Sequence, residues 1–280
     1  MKIKIKNIKK ILKLAKNEKK YLSPCVYKKK NFFELLYCNR GNKKNFSGKI
    51  YLASSKNLNY WIKKKKPILI PNKTAKFKSF ISPNFAILND KKILFIEAQA
   101  YNYKSKIICF IKNKNKWSQY KKFELKSVKS SFQSPFFFKD QDKNYLFYSR
   151  NKNTIERIEL DENLNILDKN VCFKSKYKNE KYSIYSPTVF KLNSIFHMFY
   201  SAWTDQFVGN INYAYSKNGI KWTKKYTNIF KLKKNIKIIS EPFLYMSQNK
   251  LLLFFEYKNL NGEWNISFEY LPSRILRNIK

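Results

Sequence analysis

Apolar residues in this chain fall into short runs separated by polar turns, and the runs repeat. A small or acidic residue, a proline and an apolar stretch recur at Ser23-Pro24, Ser82-Pro83, Ser134-Pro135, Ser186-Pro187 and Glu241-Pro242. The prolines are 59, 52, 52 and 55 residues apart. A period of that length marks one supersecondary unit copied around an axis or along a line. Aligned on the proline, each unit opens with an apolar run, at 25–27, 85–88, 136–138, 189–190 and 243–245. A polar turn follows, then a second apolar run at 32–37, 93–96, 145–148, 195–200 and 251–255. Strand, short polar turn and strand make a hairpin. A third strand is predicted at 49–54, 106–111, 154–160, 210–216 and 264–270, and a short fourth at 67–70 and 123–125.

In two units the third strand runs into matching heptapeptides. Residues 55–61 (SKNLNYW) and 216–222 (SKNGIKW) agree at four positions. The Asn218-Gly219 pair tolerates positive φ and reads as a hairpin turn. Four antiparallel strands per unit, five times over, predict an all-β fold: a five-bladed β-propeller of four-stranded antiparallel blades. The proline is expected at the first residue of the innermost strand, where a missing N–H costs little. Trp61, Trp117 and Trp222 are expected to fill the gaps between blades. The predicted organisation is a basic N-terminal segment over 1–20, one propeller domain over 21–273 with blades starting near 23, 82, 134, 186 and 241, and a basic tail over 274–280.

The topology selects candidate functional residues. The start of strand one and the end of strand two lie at the same end of an up-and-down blade. Ser23, Ser82, Gln133, Ser134, Ser186 and Glu241 should therefore converge with Arg40, Glu97, Gln99, Arg150, Trp203, Asp205 and Glu256 around one mouth of the axial channel. Loop and strand-end residues on a rigid scaffold are where function concentrates.

Composition changes this picture modestly. The formal charge of +41 would ordinarily point to nucleic acid or anionic lipid. Only five of the 59 basic residues are Arg, and Gly is down to five, a skew that an AT-rich genome would impose. The lysines are spread along the chain, so most read as solvated surface and nucleic acid is not the expected partner. Cys25, Cys38, Cys109 and Cys172 stand far apart with no CxxC pair, which argues against zinc and disulfides and for reduced thiols in a cytoplasmic protein. His197 is the only histidine, so neither a Ser-His-Asp triad nor a multi-histidine metal site is expected. It reads as a packed residue inside a strand. No apolar run approaches the roughly 20 residues of a membrane helix, and no secretory signal is visible. The first 20 residues fit a short amphipathic helix through Ile5, Ile8, Leu12 and Ala15, and equally a strand, since Ile3 and Ile5 alternate with lysine.

The stretch 186–201 (SPTVFKLNSIFHMFYS), followed by 212–222 (NYAYSKNGIKW), resembles the blade pattern of the five-bladed glycosidase superfamily, which includes glycoside hydrolase families 43, 32, 68 and 130. The resemblance covers all five units. It implies a carbohydrate-active protein with acids at the channel mouth: an Asp before the first-blade proline, another in the third blade and a Glu in the fourth. Here Ser23, Ser134 and Ser186 stand at the matching positions, and none is a general acid or base at neutral pH. Only Glu241 keeps an acid at the motif, in a context (residues 240–244, SEPFL) that resembles the general-acid motif of family 43 one blade out of place. No cofactor or metal is implied.

The expected function is therefore a glycosidase-like protein binding a sugar in the axial funnel. Glu241 is the candidate general acid, and Glu97 or Asp205 its candidate partner. Ser23, Arg40, Ser82, Gln133, Ser134, Arg150, Ser186, Trp203 and Glu256 are the candidate substrate contacts. Arg40 or Arg150 would suit a carboxylate or phosphate on the sugar, and the basic surface makes an anionic glycan an attractive partner. The rival readings are a catalytically silent propeller that binds a sugar or a protein in surface-polysaccharide metabolism, and a charge-driven polyanion binder.

Overall fold

A computed structural model describes residues 3–4, 8, 10–12, 20–40, 47–71, 77–114, 116–232, 234–247 and 250–272. Its strands are β1 (Ile3–Lys4), β2 (Tyr21–Lys29), β3 (Phe32–Asn39), β4 (Lys49–Ser55), β5 (Ile62–Lys63), β6 (Phe77–Leu88), β7 (Lys91–Ala100), β8 (Ser105–Asn113), β9 (Lys116–Leu125), β10 (Phe132–Asp140), β11 (Lys143–Arg150), β12 (Thr154–Leu160), β13 (Ile166–Lys174), β14 (Ser183–Leu192), β15 (Ile195–Trp203), β16 (Gly209–Ser216), β17 (Thr223–Tyr226), β18 (Phe230–Lys231), β19 (Ile236–Ser247), β20 (Lys250–Asn259) and β21 (Trp264–Leu271). They form antiparallel sheets β2–β5, β6–β9, β10–β13, β14–β17 and β19–β21, one per repeat. The chain is a five-bladed propeller. The inner strands β2, β6, β10, β14 and β19 touch in sequence, and β19 closes the ring on β2.

Five buried clusters hold the ring, one at each blade boundary. Leu36 and Leu94 meet between blades one and two. Phe95 and Tyr148 meet between two and three, and Phe147 and Met198 belong to the third boundary. Phe199 and Phe255 share the fourth, and Leu35 and Phe254 the fifth. Successive residues of one strand thus serve opposite neighbours, as a strand buried on both faces requires. The expected tryptophans do fill boundaries: Trp117, Trp222 and Trp61 pack against the first, third and fifth clusters. Trp222 meets Phe147 edge-on at 6.1 Å.

The matching heptapeptides build matching turns. Asn57 Oδ1 accepts the N–H groups of Asn59 and Tyr60, and Asn218 Oδ1 those of Ile220 and Lys221. The indole N–H of Trp61 donates to Leu58 O, and that of Trp222 to Gly219 O. Leu58 and Gly219 hold the same positive φ, 65° and 69°. Asn-Gly therefore sits in a longer loop between strands three and four, with only the glycine at positive φ, rather than in a two-residue hairpin.

Two details differ from the sequence expectation. The prolines lie within the inner strands rather than at their first residues. Each lies inside a register shift, as between Ile81 and Asn84 or Ser240 and Phe243. A bulge leaves its extra residue out of the ladder, so proline's missing N–H breaks nothing there. The fifth blade takes three strands from its own repeat, and the chain's beginning lies along its outer strand: Ile11 N donates to Ile266 O at 3.2 Å, with Ile11 and Leu12 buried. Much of the N-terminal segment, and the basic tail, lie outside the described residues. Ile3–Lys4 pairs parallel with Phe230–Lys231.

Candidate functional site

All five residues before the prolines adopt positive φ: Ser23 57°, Ser82 48°, Ser134 51°, Ser186 52° and Glu241 49°. For a non-glycine residue that conformation costs about 1 kcal/mol or more each. Five copies around one axis make a designed rim. Together with the prolines, these residues line an axial cavity of only about 20 Å³, room for one water. Phe136 and Phe243 line it too, and their rings approach to 5.8 Å from blades three and five. The channel is thus floored at the proline ring, and any ligand larger than water must sit above it, in the mouth.

The bulge turns the backbone of each rim segment toward the preceding blade, where one register position answers it. Cys38, Glu97, Ser149, Ser201 and Glu256 all stand opposite the residue two before a proline. Glu256 Oε2 accepts Ser23 N–H at 3.3 Å, Glu97 Oε2 accepts Ser134 N–H at 3.0 Å, and Ser201 Oγ accepts Glu241 N–H at 2.7 Å. The Ser149 hydroxyl donates to Ile184 O and the Cys38 thiol to Phe80 O. Sequence reading named the two glutamates of this ring but not Cys38, Ser149 or Ser201. The signal was available, since all five follow an aromatic or isoleucine near the end of strand two.

The ring decides what the mouth acids can do. Glu97 and Glu256 are buried, and both oxygens of each are engaged, the second by the hydroxyls of Ser105 and Ser240 respectively. Glu241 differs. Its Oε2 is shut off from solvent and has no hydrogen-bond partner. Burial pushes its carboxyl above the usual range, against the pull of the Ser23 hydroxyl and of Arg40. Burial first, and then the Glu241 charge, push Glu256 well above that range. Tyr185, unnoticed in the sequence, is raised by burial and then by the same two acids.

Glu241, Glu256, Ser23, Arg40 and Tyr185 therefore form one electrostatic group on the side of the mouth shared by blades four, five and one. Trp203 borders it, 6.4 Å from Tyr185 and stacked on Trp264 at 6.3 Å. Lys152 approaches from blade three, over the Tyr185 ring and within electrostatic reach of Glu241. Ser82, Ser134 and Ser186 join the rim through the axial cavity. Gln133 is buried opposite Ser149, with Oε1 lacking a hydrogen-bond partner.

Two candidates stand apart. Arg150 is one register step from Arg40's equivalent and binds Glu156 of its own blade at 2.6 Å. Asp205 lies in an exposed loop and pairs with Lys181 at 2.9 Å, which holds its carboxyl below the usual value. His197 is packed, stacked on Phe190 with Nδ1 2.7 Å from Tyr213 Oη, and burial lowers it to about 4. Burial likewise pushes the thiols of Cys25, Cys38 and Cys109 up to about 12, so they are unreactive at neutral pH. Among the described residues, no group of three or more His, Cys, Asp or Glu is placed to hold a metal ion, and no helix is long and apolar enough to cross a membrane.

The propeller fold has counterparts among solved structures. A thermostable family-43 glycoside hydrolase superposes with a TM-score of 0.73 at 18% identity, covering 90% of this chain and 89% of that one. The likeness is one of fold, a five-bladed β-propeller. An α-L-arabinofuranosidase from Lactobacillus brevis matches with a TM-score of 0.75 at 12% identity over 90% of both chains. An exo-β-1,3-galactanase from Phanerochaete chrysosporium, crystallised with β-1,3-galactotriose, matches at 0.73 and 13% identity over 95% of this chain and 64% of its own. No family model and no curated protein sequence matches the chain.

Proposed function

We propose that this protein is a glycosidase-like propeller that binds a carbohydrate at the axial mouth and presents Glu241 to it. One observation carries the reading. Unlike Glu97 and Glu256, Glu241 has a buried carboxylate oxygen that accepts no hydrogen bond, beside the cavity at the axis. Burial raises its carboxyl, and its half-buried side chain stands at the axial cavity. Exposed aromatic side chains border the same end of the propeller, among them Tyr101, Tyr103, Tyr182 and Phe207. Aromatic faces of this kind pack against the apolar faces of sugar rings.

Binding is favoured over turnover because hydrolysis needs a second, free carboxylate. Glu97 and Glu256 spend their oxygens on blade-to-blade hydrogen bonds. A second reading, hydrolysis with Glu241 as general acid, is favoured by the upward shift that burial gives its carboxyl, the direction a general acid needs. Calorimetry with neutral arabino- and galacto-oligosaccharides tests the first reading. Binding is expected, and a loss of about tenfold in Glu241→Gln or Trp203→Ala. No affinity for any neutral oligosaccharide would overturn it. Turnover of an aryl arabinofuranoside or galactoside that vanishes in Glu241→Gln would establish the second.

A further inference from the structure

At the end of the propeller away from the mouth, blades one and five enclose a groove of about 600 Å³. Four lysines line it: Lys28 and Lys30 at the first hairpin turn, Lys56 at the heptapeptide turn, and Lys250 at the start of β20. Among the described residues no Asp or Glu lines it. Between the lysines stand the rings of Phe33, Tyr245 and Tyr270. Phe33 and Tyr245 meet edge to face at 5.8 Å, and Lys250 lies 6.0 Å over the exposed Tyr270 ring. A second pocket of about 460 Å³ shares Lys56 and Asn57 with the groove and adds the exposed Tyr60 and Ile62. The crowding of cations continues toward blade two. Burial and then repulsion from Lys29, with Lys92 and Lys64 adding to it, lower the Lys112 ammonium, and Glu34 alone opposes them.

We propose that this groove binds an acidic oligosaccharide, a site separate from the mouth. Ammonium groups on flexible stems take carboxylates through charge-assisted hydrogen bonds, while the exposed rings offer flat apolar surface to sugar rings. The volume suits a ligand of a few rings, since such sites run from about 300 to 1,000 Å³. The ligand class rests on the sugar-binding reading of the fold; the location and the anionic requirement rest on the groove alone.

The probe is fluorescein-labelled hexagalacturonate, titrated with the full chain and read by anisotropy. It is expected to bind at about 50 mM salt and to weaken roughly tenfold or more by about 300 mM. The double variant Lys56→Glu/Lys250→Glu should lose at least about tenfold. Lys121→Glu/Lys122→Glu makes the same charge change on exposed residues of β9, and should lose less than about twofold. Neutral xylohexaose should not displace the probe. The proposal is overturned if the two double variants lose affinity equally, if the neutral sugar displaces the probe, or if single-stranded RNA of equal charge displaces it at lower concentration. Failure of the mouth reading is distinguishable, because it leaves uronate binding in place while neutral sugars do not bind.

Discussion

Glu241 shows what one side chain contributes at the rim. Its carboxyl is desolvated, shares an electrostatic group with Glu256, and has one oxygen unpartnered. Both acids have folded-state values raised above the unfolded one, so between these values the folded state holds protons that the unfolded state has released. Stability from this source is full below the unfolded carboxyl value of about 4.3 and declines as pH rises through the raised folded values. Glu241→Gln removes the ionisation. It should therefore raise the melting temperature at pH 8, by an amount reflecting about 1 kcal/mol, and leave it nearly unchanged at pH 4. A lower melting temperature at pH 8 would contradict this account. The residue before each proline was readable as a mouth position from sequence alone. That Glu97 is consumed by blade contacts was not, because its partners Ser105 and Ser134 are 8 and 37 residues away.

The recurring element is the bulged inner strand with a left-handed residue before proline. Its backbone cost is offset by the acceptor that the preceding blade supplies, so the two features belong together. Glu97→Ala would leave the buried Ser134 N–H and Ser105 hydroxyl without their partner. A loss of about 2–3 kcal/mol in urea denaturation is expected. A loss below about 0.5 kcal/mol would mean that the latch contributes little. Blades one and four add a second shared element, the heptapeptide turn. There φ is positive whether the residue is Leu58 or Gly219, so the Asn side chain and the Trp indole set the turn, and glycine only eases it. Apolar runs and turns revealed the strands because a strand buried on both faces reads as a short continuous apolar run bounded by polar turns. The bulges left no such trace, since a one-residue register shift involves a partner strand as well as the local sequence.

At the scale of the whole molecule, a propeller must close, and this one closes twice. The inner strands complete the ring through β19 and β2, and Ile11 and Leu12 dock on the last blade's outer strand. Leu12 is 1% exposed within a lysine-rich stretch that sequence reading assigned to a basic segment outside the domain. Leu12→Ala should cost about 2–4 kcal/mol, as for a core leucine, and Lys10→Ala, at an exposed ion pair with Glu263, almost nothing. Equal effects of the two would place Leu12 outside the cooperative unit. The sequence by itself determined the blade number, the strand order and the ring of residues before the prolines, because a repeat period and its apolar runs are properties of a single chain. Only the tertiary structure decided that Phe136 and Phe243 line the narrow axial cavity, that Glu97 and Glu256 lock blades together, that Glu241, unlike those two, keeps a buried oxygen accepting no hydrogen bond, and that lysines from blades one and five share a groove. Each of these depends on atoms from different blades, and their distances are set only when the ring closes.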